Sequence, residues 1–385
     1  MAKIDDSIKK KVPELRFKGF TDDWEQRKLT EIVNRVNKSS NSDVLPKVEF
    51  EDIVSGEGRL NKDISSKFDS RKGTLFEPEN ILYGKLRPYL KNWLFSDFEG
   101  VALGDFWVFE ATDVSVPSFD YYLIQSDNYQ KVANDTSGTK MPRSDWKNVS
   151  STDFAIPSKD EQKQIGAFFK QLDNTIVLHQ RRLDLLKEQK KGYLQKMFPK
   201  NGAKVPELRF EGFADDWELR KSKELCTIST GKGNTQDKVD DGAYPFYVRS
   251  ATIEKSDEYL YDQEAVLTVG DGVGTGKVYH YVNGKYNLHQ RVYRMYDFKD
   301  VSAKYFYYYF SKNFYKRVMS MTAKTSVDSV RMEMIADMNI VFPSVKEQEN
   351  IVELFSNLDN TIALHQRKLD LLKEQKKGFL QKMFV

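Results

Sequence analysis

Residues 161–198 read EQKQIGAFFKQLDNTIVLHQRRLDLLKEQKKGYLQKMF, and residues 347–384 read EQENIVELFSNLDNTIALHQRKLDLLKEQKKGFLQKMF. In the first copy Ile165, Phe169, Leu172, Ile176, His179, Leu183, Leu186, Lys190, Tyr193 and Met197 follow one another in alternating steps of four and three. The second copy repeats the steps with Ile351, Phe355, Leu358, Ile362, His365, Leu369, Leu372, Lys376, Phe379 and Met383. This is a heptad seam sustained over more than four repeats, so each segment is expected to be one long helix. At 1.5 Å per residue each would run about 57 Å. A stripe this narrow suits a single partner helix, and the simplest partner is the other copy. Eight apolar seam positions per helix, at about 1.5–3 kcal/mol each when fully buried, supply the driving force.

Polar residues interrupt the seam at His179/His365 and Lys190/Lys376. Either they fix the register, or their stems lie along the seam with the polar ends in water, which is the plainer expectation. Gly192 and Gly378 each cost about 1 kcal/mol within a helix, so a kink or fraying is expected there.

Working outward, a second repeat precedes each middle section. VPELRFKGFTDDWEQRK fills residues 12–28 and VPELRFEGFADDWELRK residues 205–221. Trp24 and Trp217 lie 193 apart, whereas Glu161 and Glu347 lie 186 apart. Two copies of so large a period indicate a duplicated two-domain unit rather than a solenoid. The sections between the repeats look unrelated in sequence. Both read as short strands and turns, such as NILYGKLRPYL and GVALGDFWVFEA in the first, and AVLTVGDGVGTGKVYHYV and YNLHQRVYRMY in the second. Helices are expected near residues 121–132 and 303–319. Each section ends alike, in DFAIPS or NIVFPS, where proline closes a strand and leads into a helix. The expected organisation is a first β-rich domain over residues 1–160, a long helix over 161–200, a second β-rich domain over 201–346 and a long helix over 347–385.

The chain has 385 residues and a formal charge of +3 from 60 Lys and Arg against 57 Asp and Glu. A near-neutral total does not exclude nucleic acid, because a basic stripe can hide within it. One cysteine, Cys226, excludes a disulfide framework and a cysteine zinc site, and the four histidines are too scattered for a metal cluster. No apolar run approaches a membrane span and the N-terminus lacks a signal-peptide stretch, so a soluble cytoplasmic protein with no membrane role is expected.

Catalytic motifs are missing. GDGVGTGKV, from Gly270, lacks the first glycine of a phosphate-binding loop, where Asp271 stands, and the hydroxyl residue after Lys277, where Val278 stands. It reads better as a glycine-rich hairpin. Neither a metalloprotease nor a nucleophile-elbow motif occurs, nor a methyltransferase cofactor loop with an NPPY-like partner. No catalytic residue and no metal ligand is assigned.

A frame used twice around two different inserts suits a two-part target. For both inserts to face one side of a duplex the halves should be related by a two-fold axis, which makes the helices antiparallel. The xPELRFxGFxxDW segments, the ILYGKLRPYL region, the IPS-xxEQ junction and the long helix together resemble the specificity subunit of type I restriction–modification systems, over essentially the whole chain. The fold class expected is α+β: two β-rich target-recognition domains alternating with two long helices that pair as an antiparallel coiled coil. The resemblance implies that each domain reads half of a bipartite site in double-stranded DNA, with the helices as spacer. It implies docking of two methyltransferase subunits and, through them, of the restriction and translocase subunits. It also implies that this chain is non-catalytic and binds no cofactor, with S-adenosylmethionine, ATP and Mg belonging to partner subunits. A coiled-coil scaffold with protein-binding modules and no DNA role is the alternative.

The family offers no fixed code for base contacts, so DNA-contact candidates rest on chemistry: Arg, Lys and Gln can pair base edges, and Lys, Ser and Thr bind phosphate. In the first domain they are Lys85, Arg87, Lys91, Lys140 and Arg143, with Tyr89 nearby. In the second they are Arg249, Lys277, His289, Gln290, Arg291, Lys324, Thr325, Ser326 and Arg331. Two segments before the helices, residues 136–143 (TSGTKMPR) and 322–331 (TAKTSVDSVR), occupy equivalent places. Off the seam, polar residues match between the copies, as two equivalent docking surfaces would require: Gln180, Arg181, Lys187 and Gln189 in the first helix, Gln366, Arg367, Lys373 and Gln375 in the second. Leu15, Arg16, Phe17 and Trp24, with Leu208, Arg209, Phe210 and Trp217, are expected to pack the junction of domain and helix.

Overall fold

In the computed structural model of the chain, residues 12–136, 140–200, 203–321 and 329–385 are described. They form two compact units, one of Met1–Arg181 with Arg367–Val385, the other of Arg182–Gln366. The heptad segments are continuous helices, Lys159–Lys196 and Val345–Met383. Each unit therefore holds one β-rich head and a portion of both long helices.

Within the first unit, Glu25–Lys28 pairs antiparallel with Asp153–Ile156, so the chain enters and leaves the head side by side. One four-stranded antiparallel sheet has the order Val33–Val36, Phe106–Ala111, Ile81–Gly84, Trp93–Phe95. A second sheet contains Gly73–Phe76, Gly100–Ala102 and Lys47–Val48, the last pair parallel. Ile81–Gly84 is buried at every position, which explains its apolar and aromatic composition without alternation.

Within the second unit the same plan recurs. Glu218–Lys221 pairs with Asn339–Phe342. The first sheet has the order Thr227–Thr230, Val292–Tyr296, Ala265–Val269, Tyr279–Val282. The second contains Tyr261–Asp262, Lys285–Leu288 and Tyr244–Tyr247, again antiparallel then parallel. The heads differ in the fourth strand of that sheet: Ser39–Ser40 lies beside Gly73–Phe76, whereas Ile253–Ser256 lies beside Tyr244–Tyr247, on the opposite edge. Inserts that look unrelated in sequence thus share one topology. The glycine-rich segment is a hairpin connection, between Ala265–Val269 and Tyr279–Val282.

Each head buries the base of a long helix in an aromatic core. In the first, Trp24, Phe119 and Tyr122 surround Ile165 and Phe169, with Phe384 from the end of the second helix. In the second, Trp217, Tyr305 and Tyr308 surround Ile351 and Phe355, with Phe198 from the end of the first. The outer seam residues therefore pack into the heads as well as against the partner helix, which a reading of the seam alone does not anticipate. Leu183, Leu186, Leu369 and Leu372 are buried, and Leu172, Ile176, Leu358 and Ile362 partly so.

The helices run antiparallel within each unit. Phe168 meets Phe379 at 5.0 Å in the first unit, and Phe198 meets Phe355 at 5.8 Å in the second. Lys376 Nζ reaches Asp173 at 2.7 Å, and Lys190 Nζ reaches Asp359 at 2.5 Å. Tyr122 donates to Asp173 and Tyr308 to Asp359, and each lysine also lies over the ring of that tyrosine. The expectation that these lysines end in water is thus corrected. Each joins one helix to the other through a carboxylate, an arrangement that works in only one register.

Three further expectations change. The helices run unbroken through Gly192 and Gly378. Their last turns are anchored by buried Met197, Phe198, Met383 and Phe384, and by Leu208 N–H to Lys196 O and Leu15 N–H to Lys382 O, both 2.9 Å. Leu15 and Leu208 contribute these backbone bonds rather than packing, since their side chains are exposed. The helix expected near residues 121–132 is two, Pro117–Leu123 and Asp127–Ala133, because Ser126 caps the second by accepting from Tyr129 N–H. The region after residue 303 is one helix, Ala303–Ser320.

Arg16 grips Glu161 through Nε and Nη2, both at 2.7 Å, and Arg209 grips Glu347 at 2.7 and 2.8 Å. The carboxylates are buried in the first turns of the long helices, where negative charge also suits the helix dipole. The hydrogen bond to Glu161 raises the Arg16 pKa above its ordinary value. Each VPELRF segment thereby ties the start of one helix to the end of the other.

Candidate nucleic-acid interface

In the first head the strand Ile81–Gly84 runs out into Lys85, Leu86 and Arg87. Arg87 has φ of +48°, and this left-handed residue turns the chain into Pro88–Leu90. Three backbone bonds fix the loop: Lys85 N–H to Asp105 O at 2.9 Å, Ser144 N–H to Lys85 O at 2.9 Å, and Arg87 N–H to Pro142 O at 2.7 Å. Lys85 and Arg143 are thereby gathered around Asp105, with Arg87 on the same loop. Arg143 donates to both Asp105 oxygens, at 3.0 and 3.4 Å, which raises its pKa, and Lys85 Nζ stands 3.7 Å from the same carboxylate. Lys140 is exposed two residues before Pro142, and Tyr89 is exposed at the loop tip. Lys91 is not part of this group. It lines a cavity of about 380 Å³ with Glu57, Arg59 and Lys373.

In the second head the same scaffold carries different side chains. Gly270 N–H donates to Arg291 O at 2.8 Å and Val330 N–H to Gly270 O at 2.7 Å, matching the bonds at Lys85. Asp271 pairs with Ser329 as Leu86 pairs with Arg143. Arg291 therefore stands where the first head has Asp105, and Asp271 where it has Leu86. The charges are rearranged on one backbone frame. Arg249 Nη1 and Arg291 Nε approach the Asp271 carboxylate at 3.6 and 3.7 Å. Gln290 is exposed and donates to Asn234 Oδ1. Lys277 lies over the Tyr315 ring, and Arg331 is exposed before the short helix Met332–Ala336.

His289, a DNA-contact candidate, is turned inward in this structure. It is 5% exposed, its Nδ1 accepts from Arg291 N–H, its Nε2 lies 3.4 Å from Thr235 Oγ1, and its ring stacks on Phe246. Burial, then the nearby Arg249, holds its pKa below the ordinary value, consistent with the neutral ring that can accept this bond. Lys324, Thr325 and Ser326 lie outside the described residues, as do residues 137–139 of the equivalent segment.

On the helices Arg181, Lys187, Gln189, Arg367, Lys373 and Gln375 are exposed, and Gln180 and Gln366 are partly buried. Lys373 binds Glu57 of the first head at 3.1 Å. An apolar pattern on the same helices marks a further candidate surface. Leu178 and Leu185 lie seven residues apart, Leu364 and Leu371 repeat them, and all four are more than half exposed. Asp105 and Asp271 carry no sequence signal of their own, since an acid among basic residues leaves no local pattern.

No helix is long and apolar enough to cross a membrane among the described residues. The pattern of the family described as the type I restriction modification DNA specificity domain matches twice, over residues 21–188 and 214–374. The MjaVIII type I restriction enzyme specificity subunit of Methanocaldococcus jannaschii is 23% identical over 290 residues, covering 68% of each chain. The EcoDI specificity subunit of Escherichia coli is 26% identical over 166 residues, covering 43% of this chain and 36% of that one. The crystal structure of the type I restriction–modification S subunit of M. genitalium superposes with a TM-score of 0.71 at 13% identity, covering 97% of this chain and 99% of that one. With the duplicated frame matched at both of its copies, the chain belongs to the type I restriction–modification DNA specificity family.

Proposed function

We propose that this chain is the sequence-reading subunit of a type I restriction–modification complex, with each head reading one half of a bipartite site in double-stranded DNA. The observation that carries the reading is the loop frame common to both heads, on which Lys85, Asp105 and Arg143 in one correspond to Gly270, Arg291 and Ser329 in the other. One docking geometry with two side-chain sets gives two different base preferences. Arg, Lys and Gln of these loops meet base edges and phosphates.

In this reading the chain is non-catalytic, and two methyltransferase subunits dock on the repeated helix surfaces, with Leu178, Leu185, Leu364 and Leu371 as apolar anchors among exposed Arg and Lys. The restriction subunits assemble through them, and S-adenosylmethionine, ATP and Mg belong to those partners. The test is DNA binding by the chain assembled with its methyltransferase. The complex should select a split sequence from a random duplex pool, with affinity falling steeply as salt rises. Binding that ignores both sequence and salt would leave the scaffold role instead.

A further inference from the structure

We propose that Asp271 in the second head, and Asp105 in the first, are specificity-determining positioning residues: each carboxylate holds two basic side chains in a fixed arrangement for base edges and penalises binding to the phosphate backbone of unrelated sequence. The proposal rests on the DNA-reading function above and deepens it.

Each head sets a recessed carboxylate beside two basic side chains, hydrogen-bonded by Arg143 in the first head and in longer ion pairs with Arg249 and Arg291 in the second. Asp105 is approached by Arg143 at 3.0 Å and Lys85 at 3.7 Å, and Asp271 by Arg249 at 3.6 Å and Arg291 at 3.7 Å. Both carboxylates are recessed, at 26% and 27% side-chain exposure, and the three arginines around them stand at 50–65%. Asp271 Oδ1 is buried and takes no hydrogen bond among the described residues, so it retains acceptor capacity on which Arg249 can close. The two heads reach this arrangement from different chain positions, because Asp105 corresponds to Arg291 and Asp271 to Leu86. A feature that arises separately on one frame reflects the task of that frame rather than a residue retained from the duplication.

A surface that only gripped phosphates would gain nothing from a carboxylate among its cations. The carboxylate cancels charge and reduces the counterions released on binding. It gives orientation in return. A free arginine loses much rotamer freedom when it pairs a guanine bidentately, whereas one already held by a recessed acid presents its fork in a set plane. At random sequence, where no base edge rewards the fork, the carboxylate is left to repel the backbone. Affinity is thereby traded for discrimination, and at one half-site per head.

The experiment uses the full chain assembled with its methyltransferase subunits. Its probes are the duplex that the wild-type complex selects from a random pool, and duplexes with one or the other half-site scrambled. Asp271→Asn should bind fully scrambled duplex about tenfold more tightly and steepen the salt slope by about one phosphate's worth. Discrimination at the second half-site should fall about tenfold, with the first half-site unchanged. Asp105→Asn should give the mirror result, so each head tests the proposal independently, and Asp271→Glu should keep most of the discrimination. Equal loss of affinity for all duplexes, with the wild-type salt slope and ratios, would assign these residues a purely structural role and overturn the proposal. A wild-type complex that selects no sequence at all would instead overturn the DNA-reading function.

Discussion

Replacing Glu161 with Gln tests the clamp that joins the first VPELRF segment to the long helix. The wild-type carboxylate is 1% exposed and takes two bonds of 2.7 Å from Arg16. Glutamine keeps the shape but removes the charge and turns an N–H₂ group towards a guanidinium donor. Breaking a buried pair on one side costs about 3–5 kcal/mol. Arg16 keeps 12% of its exposure and can recover some hydration, which favours the lower end, about 3 kcal/mol. Loss of negative charge from the first helical turn acts in the same direction. In a unit of this size 1 kcal/mol lowers the midpoint by about 2–4 °C, so calorimetry should show a fall of about 6–12 °C. Glu347→Gln should do the same to the second unit through Arg209. A loss below about 1 kcal/mol at both sites would refute the clamp as a stabilising element.

Lys376→Met should cost about 2 kcal/mol and Lys190→Met about 1 kcal/mol in urea denaturation, because Lys376 and Asp173 are less exposed than Lys190 and Asp359; the reverse order would contradict the burial argument. Burial, reinforced by Lys200 and Lys316, lowers the Lys312 pKa to about 8. The unfolded chain therefore holds the extra proton above that pH, so the second unit should gain stability from about pH 8 towards the ordinary lysine value, and Lys312→Met should flatten that rise in urea midpoints. Leu178→Asp with Leu371→Asp should weaken methyltransferase association about tenfold or more while leaving the thermal midpoint near wild type, since both side chains are exposed; pull-down titration reads the first and calorimetry the second.

The seam was legible in the sequence because a heptad is a local pattern, and Ile165, Phe169, Leu183 and Leu186 with their second-copy counterparts are buried along it. The Arg16–Glu161 clamp was not, because two residues 145 positions apart leave no periodic trace. Lys190 and Lys376 were visible as interruptions, but their acceptors Asp173 and Asp359 lie off the seam and become partners only once the helices are antiparallel. The common topology of the heads was hidden because its strands are short and their register rests on backbone bonds, which many side chains satisfy. The DNA-contact candidates were chosen by charge, and charge alone could not separate Arg143 and Arg291, exposed beside an acid, from His289, turned inward to the backbone of its own loop.

The modular reading is tested most directly by exchanging residues 24–157 for the corresponding segment of a relative with a known target, and mapping methylated adenines across the genome of cells carrying the hybrid and its methyltransferase. One half of the methylated sequence should change to that of the donor, and the other half should stay as in the wild type. A hybrid that folds and methylates but alters both halves together, or neither, would contradict the assignment of one half-site to each head.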